Sequence, residues 1–178
     1  MQAIEQLKKI VKDAEEEPIQ KPMDLALEVQ SYAEDIQREL NMVNASYGRF
    51  FISQNKNISN QLHLHSPKYA GKIHDHGTWG IMMSLVGTFA LEDWMVNTSE
   101  GNHLIRQYLL PQFGLVHFPY LAGLDWHKNT NMEKFRAMSL HIYGPNYNND
   151  ESRTYTPLTD TIDRHQGMKM ADVKTILA

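Results

Sequence analysis

The chain opens with apolar residues at helical spacing. Ile4, Leu7, Ile10, Val11 and Ala14 recur every three to four positions among lysines and glutamates, which predicts a helix over residues 3–15. Glu15-Glu16-Glu17-Pro18 ends it, because proline disfavours helical geometry in the residue before it. A second helix is expected to start near Pro22, whose fixed φ suits a first helical turn, and its apolar stripe is Leu25, Val29, Ala33, Ile36 and Leu40. Both stripes predict packing against the rest of the fold.

After residue 44 the pattern changes to short β-prone runs separated by turn residues. The expected strands are Arg49–Ser53, Gln61–His65, Lys72–His76, Ile81–Val86, Phe89–Val96, Leu104–Leu110, Gly114–Phe118 and Phe135–Tyr143. About eight such strands match a double-sheet jelly roll. The fold class expected is therefore mainly β, a double-stranded β-helix (jelly-roll barrel) with N-terminal α-helices. Residues 1–178 are expected to form a single domain, with helices over 1–44, a barrel over 45–145 and a C-terminal extension over 146–178. That extension is expected to end in a short helix over Ala171–Ala178.

Bulk properties narrow the function. A length of 178 residues suits one domain with a real core. The formal net charge is −4 and no basic block is present, which points away from nucleic acid and from anionic membranes. No apolar run approaches a membrane span, and the first residues lack the apolar core of a signal peptide, so a cytoplasmic location is expected. Cysteine is absent, which excludes disulfides, thiolate metal ligands and a cysteine nucleophile. A bound metal must rely on nitrogen and oxygen, and there are nine histidines.

Two of these stand out in Gly71-Lys72-Ile73-His74-Asp75-His76-Gly77-Thr78-Trp79-Gly80. On an extended backbone His74 and His76 leave the same face, whereas Asp75 leaves the other. Gly87 suits a tight turn after the next strand. A third histidine, His127, follows a Pro/Gly-rich turn, with Asn131 four residues beyond. His74, His76 and His127 are the candidate metal ligands. Gln61-Leu62-His63-Leu64-His65 repeats the spacing without the flanking glycines, and His63 and His65 read as the polar face of a half-buried strand.

The layout of His-x-His, glycine and a later histidine resembles the two motifs of cupins over residues 45–145. Cupins commonly add a glutamate ligand shortly after the histidine pair. Here that place is Gly80, so a three-histidine site with open positions is expected, and an open site argues for chemistry rather than scaffolding. Imidazole suits zinc, copper, iron and nickel alike.

A further stretch, Met138-Ser139-Leu140-His141-Ile142-Tyr143-Gly144-Pro145, alternates a hydroxyl, an imidazole and a phenol with apolar residues. Together with His-Asp-His-Gly and with Ser46-Tyr47-Gly48-Arg49, it resembles the cysteine dioxygenase family of thiol dioxygenases. That resemblance implies a cupin fold, Fe(II) held by His74, His76 and His127, and a Ser139-His141-Tyr143 triad. It further implies Arg49 as the group that binds the substrate carboxylate, with Tyr47 lining the pocket. Guanidinium suits that task because it grips a carboxylate bidentately. The implied partners are a small-molecule thiol and O2, and the implied reaction converts L-cysteine to its sulfinic acid.

Two departures matter. Animal members can carry a cysteine–tyrosine crosslink beside the iron, which a chain without cysteine cannot form. The 3-mercaptopropionate-oxidising branch tends to carry glutamine at the Arg49 position, yet His-Asp-His-Gly-Thr-Trp-Gly is similar to sequences of that branch. The alternatives are thus a 3-mercaptopropionate dioxygenase, another metal-dependent cupin enzyme, or a non-catalytic ligand-binding cupin whose helices meet a partner. Trp79, Trp94, Phe50 and Met82 are the candidate pocket walls. Oligomeric state is not legible.

Overall fold

The computed structural model describes residues 2–13, 22–40, 47–96, 101–120, 125–145, 147, 152–164 and 171–172. Three helices come first: α1 (Gln2–Asp13), α2 (Pro22–Ser31) and α3 (Ala33–Leu40). Strands follow as β1 (Gly48–Gln54), β2 (Ser59–His65), β3 (Ile73–His74), β4 (Gly80–Val86), β5 (Phe89–Met95) and β6 (His103–Leu110). The rest are β7 (Leu115–Phe118), β8 (Trp126–Asn131), β9 (Ala137–Tyr143), β10 (Arg153–Thr156), β11 (Thr161–Arg164) and β12 (Ala171–Asp172). They form two six-stranded sheets, ordered β12-β1-β2-β9-β4-β7 and β11-β10-β3-β8-β5-β6. The protein is mainly β, a two-sheet jelly-roll barrel with N-terminal helices.

The expected second helix is two, broken at Tyr32. The Ser31 hydroxyl donates to the Glu28 carbonyl at 2.6 Å and the Tyr32 amide bonds Val29 O at 3.0 Å, a tighter turn than the α-helix allows. The stripe survives the break: Leu25, Val29, Ala33, Ile36 and Leu40 are all buried. They join Ile4, Leu7 and Ile10 in one cluster with Leu62, Leu64, Ile81, Met83, Leu85, Met138, Leu140 and Ile142. The helices therefore cover one face of the first sheet, and their stripes are not free surfaces for a partner.

Side-chain alternation then decides what faces inward. On β2, β4 and β9 the residues between those apolar ones are His63 and His65, Gly80, Met82 and Ser84, and Ser139, His141 and Tyr143. One end of the space between the sheets is apolar, filled by Met82, Phe89, Leu91, Leu110, Phe118 and Ala137. The other end is polar.

The tail departs from expectation. Residues Ala171–Asp172 are not helical but form β12, which runs parallel to β1 with Phe50 opposite Ala171. The open edge of β1 presents unpaired backbone groups that an extended segment satisfies. The remainder of that expected helix, residues 173–178, lies outside the described residues. Upstream, β10 and β11 form a hairpin, and β10 pairs with β3, placing Thr154 opposite His74. Strand β8 was not expected either. Its Lys-Asn-Thr-Asn run has little β propensity, and pairing with β3 and β5 on its two sides holds it extended. Gly87 makes the β4–β5 turn with φ of 88°, where a side chain would meet Glu133 at 2.9 Å.

Candidate metal centre

Pairing of β3 with β8 sets His74 directly opposite His127, and His76 follows on the segment after β3. The ligand atoms of these three histidines lie within 4.8 Å of one another. Their rings are mutually tilted by 55–70° at centroid separations of 4.6–4.8 Å, so they cluster without stacking on one another. His74 Nδ1 lies 2.9 Å from the Lys72 carbonyl and His127 Nδ1 lies 3.0 Å from the Asp125 carbonyl. A carbonyl only accepts, so Nδ1 carries the proton in both rings and Nε2 is left as the metal-binding atom. Phe118 stacks on His127 at 3.9 Å and fixes its plane.

Burial keeps the His76 and His127 imidazoles neutral, the form that binds a cation. His127 is pushed down to about 4 by burial, and His76 is lowered well below its usual value by burial and then by His127 and His74. Three imidazole nitrogen donors, two of them with tautomers fixed by backbone carbonyls, fit a borderline metal ion such as iron, zinc or copper. Gly80, where the resemblance to cupins would put a glutamate, leaves room for something else. A side chain there would lie 3.3 Å from both His76 Nδ1 and the Tyr143 ring, and those two rings pack edge-on at 4.5 Å.

Beside the histidines is a cavity of about 180 Å³. Its lining includes Arg49, Tyr47, Tyr69, His74, Asn129 and Tyr143. Strand β1 delivers Arg49 opposite His63. Tyr47 is partly exposed at the margin, its ring 5.4 Å from Tyr69, and its hydroxyl is pushed up to about 12 by burial and by Tyr69. Of the candidate walls, Trp79, Trp94, Phe50 and Met82 do not line this cavity. Trp79 and Phe50 belong to the cluster beneath the helices, Met82 to the inner apolar end, and Trp94 to a cluster with Tyr155.

The candidate triad is hydrogen-bonded in the expected order. Tyr143 Oη lies 3.0 Å from His141 Nδ1, and His141 Nε2 lies 2.8 Å from Ser139 Oγ. All three are buried. Burial and then Tyr147 hold the Tyr143 phenol protonated, its pKa well above the usual value.

Four neighbours of the site were missed in the sequence. His63 and His65 are buried, not a polar face of convenience: His63 stacks on His141 at 3.9 Å, and His65 Nε2 lies 2.8 Å from Ser139 Oγ. The signal was there in their register, since β2 pairs with β9 and sets His63 opposite Ser139. Tyr147 stacks on Tyr143 at 4.0 Å with planes 7° apart, and Arg153 grips Asp75, but both come from the tail and carry no motif. Asn131 has a structural part. Its amide donates to Ser66 O at 2.9 Å and Phe135 O at 3.0 Å, and its carbonyl accepts from the Glu133 amide at 2.9 Å.

No family model matches the sequence, and no curated protein matches it. Solved structures match in fold. BH2720 from Bacillus halodurans superposes with a TM-score of 0.52 at 15% identity, over 64% of this chain and 80% of that one. TT1209 from Thermus thermophilus gives 0.47 at 20% identity, over 62% and 94%. An RmlC-like cupin from Shewanella frigidimarina gives 0.43 at 12% identity, over 55% and 74%. At such identities the likeness is one of fold alone. The chain thus has a two-sheet jelly-roll fold, and it carries a histidine triad that could hold a metal ion.

Proposed function

We propose that this protein is an iron-dependent thiol dioxygenase that converts a small thiol acid to its sulfinic acid, R–SH + O2 → R–SO2H. What supports the reading above all is one juxtaposition: Arg49, the His74 ring and the Tyr143 phenol line a single cavity of about 180 Å³. That is smaller than the roughly 300–1,000 Å³ of drug-sized sites, and it suits a molecule with only a few heavy atoms.

The roles follow from the chemistry of each group. Fe(II) held by His74, His76 and His127 would supply the redox capacity that lets O2 react with a thiolate. Arg49 binds the substrate carboxylate by a charge-assisted, bidentate pair and so fixes which end of the molecule points inward. Tyr143, aligned by His141 and Ser139, offers a neutral phenol as donor to the sulfur or its oxygens. Burial of the site excludes water, which strengthens both interactions.

A second reading, a thiol acid without an amino group such as 3-mercaptopropionate, has its own support. The cavity lining holds Arg49 and Lys72 but no carboxylate among the described residues, so an ammonium group finds no counter-charge there. Oxygen consumption by the iron-loaded protein with L-cysteine, 3-mercaptopropionate and cysteamine tests both readings. Uptake matched by sulfinate from one of the acids is expected. Absence of uptake with all three would overturn the dioxygenase reading.

A further inference from the structure

The imidazole chemistry of the site does not end at Ser139. Its hydroxyl lies 2.8 Å from His141 Nε2 on one side and 2.8 Å from His65 Nε2 on the other. The resulting chain is Tyr143–His141–Ser139–His65, and it runs across β9 and β2 on the inner face of the first sheet.

The other chemistry that three clustered histidines suggest is a second metal ion, since His63, His65 and His141 also lie within 4.8 Å of one another. Geometry speaks against it. The His63 and His141 rings stack at 3.9 Å with planes 20° apart, so their lone pairs lie in separate, nearly parallel planes and do not meet at one ion. Both nitrogens of His141 are engaged, Nδ1 by Tyr143 and Nε2 by Ser139, and His63 Nε2 is engaged by Gln61 at 3.0 Å. The group is a hydrogen-bond assembly.

Proton counting then constrains it. A serine hydroxyl has one proton, and a neutral imidazole carries one N–H. With Ser139 Oγ between two Nε2 atoms, it donates to one and accepts from the other. Only one of His65 and His141 is therefore protonated at Nε2. If His65 Nε2–H donates to Ser139, Ser139 donates to His141 Nε2, His141 Nδ1–H donates to Tyr143 Oη, and the phenol proton turns away from His141, to the side of the cavity and the Tyr147 hydroxyl. If His65 carries its proton on Nδ1, every bond reverses and the phenol proton points back at His141.

We infer that His65 is a positioning residue: through Ser139 and His141, its Nε2–H tautomer turns the Tyr143 phenol proton away from His141, to the side on which the cavity lies. The ring is placed for this. It is buried, it packs edge-on against Phe89 at 4.9 Å, and it lines the same cavity as Tyr143. Burial pushes its pKa down to about 3, which keeps it neutral and its tautomer meaningful. The inference deepens the dioxygenase reading and rests on it for the use made of the phenol.

The test compares the full chain with His65→Leu, His65→Gln and Ser139→Ala. Nitrogen-15 NMR of labelled histidines reads the His141 tautomer without any turnover. Wild type and His65→Gln, whose amide nitrogen can take the place of Nε2–H, are expected to hold His141 protonated at Nδ1. His65→Leu and Ser139→Ala are expected to lose that bias. With iron and the accepted thiol, His65→Leu is expected to lower kcat about tenfold with KM within twofold, and His65→Gln to restore it. A His141 tautomer identical in all four proteins overturns the proposal, as does an unchanged kcat in His65→Leu. If wild type oxidises no thiol, the dioxygenase reading fails, and the tautomer comparison still decides whether His65 governs the chain.

Discussion

Arg153 holds Asp75 through both backbone and side chain. Its amide donates to Asp75 Oδ1 at 2.9 Å, its Nε donates to Oδ2 at 2.9 Å, and its Nη2 reaches the same oxygen. Asp75 is 1% exposed and sits between His74 and His76, so the pair ties the histidine segment to the tail strand β10. Arg153→Met would leave a buried carboxylate without its charged partner. Because the guanidinium is half-exposed, a loss of about 2–4 kcal/mol is expected, toward the lower end for buried pairs. Metal affinity is expected to fall about tenfold, as for other groups that orient ligands. Urea unfolding and metal titration check both, and an unchanged unfolding midpoint would show the pair to be dispensable.

Acid is expected to destabilise the protein from about pH 6.5 downward. His65 has a folded pKa near 3, and His63 and His141 are also lowered by burial, against about 6.5 in an unfolded chain. Between those values the unfolded chain binds protons that the folded one does not, so stability is complete above about 6.5 and is lost as pH falls. Each such histidine contributes about 1.4 kcal/mol per pH unit. Asp125, pushed up to about 6 by burial, opposes this below that pH, but it is one group against these three and the likewise depressed His76 and His127. Urea midpoints from pH 4 to 7.5 measure the slope. His65→Gln is expected to flatten it, and a midpoint that rises on acidification would contradict the assignment.

The parts of this molecule that show in its sequence are those with a period or a spacing. Alternation in Met138–Tyr143 and Leu62–His65 placed apolar residues on one face and polar ones on the other, and the two-residue step from His74 to His76 placed both on one side. What escaped was set by pairing between distant segments. Strand β8 has a polar sequence and exists because β3 and β5 hold its two edges. The parallel strand at Ala171–Asp172 depends on an open edge of β1, which no local pattern at residue 171 encodes. His65 looked like an incidental strand residue because its partner, Ser139, is 74 positions away.

Gly80 offers a test of how tightly the centre is packed. A β-carbon there would press on His76 and on the Tyr143 ring at 3.3 Å each, so one of them must shift. Gly80→Ala is expected to fold with a loss of about 1–2 kcal/mol. Metal affinity should fall severalfold and turnover more steeply, since both a ligand and the donating phenol are displaced. Thermal unfolding, metal titration and oxygen uptake separate the three effects. Wild-type turnover in the variant would show that Tyr143 needs no close packing against His76.

Arg49 carries the sharpest prediction on substrate choice. If its guanidinium pairs with a carboxylate, Arg49→Gln removes a charge-assisted interaction of about 1.5–3 kcal/mol. KM for thiol acids should then rise about 10- to 100-fold, whereas cysteamine, which lacks the carboxylate, should be little affected. Arg49→Lys keeps the charge but loses the planar fork and is expected to fall between. The same substitution has a second reading in stability. The positive charge of Arg49 helps to depress His63, His65 and His141, so Arg49→Gln should let them protonate more readily and soften the acid loss. A KM change without that shift in acid stability would place Arg49 further from the imidazole chain than the structure does. A shift without a KM change would make it a tuner of the histidines rather than a clamp for the substrate.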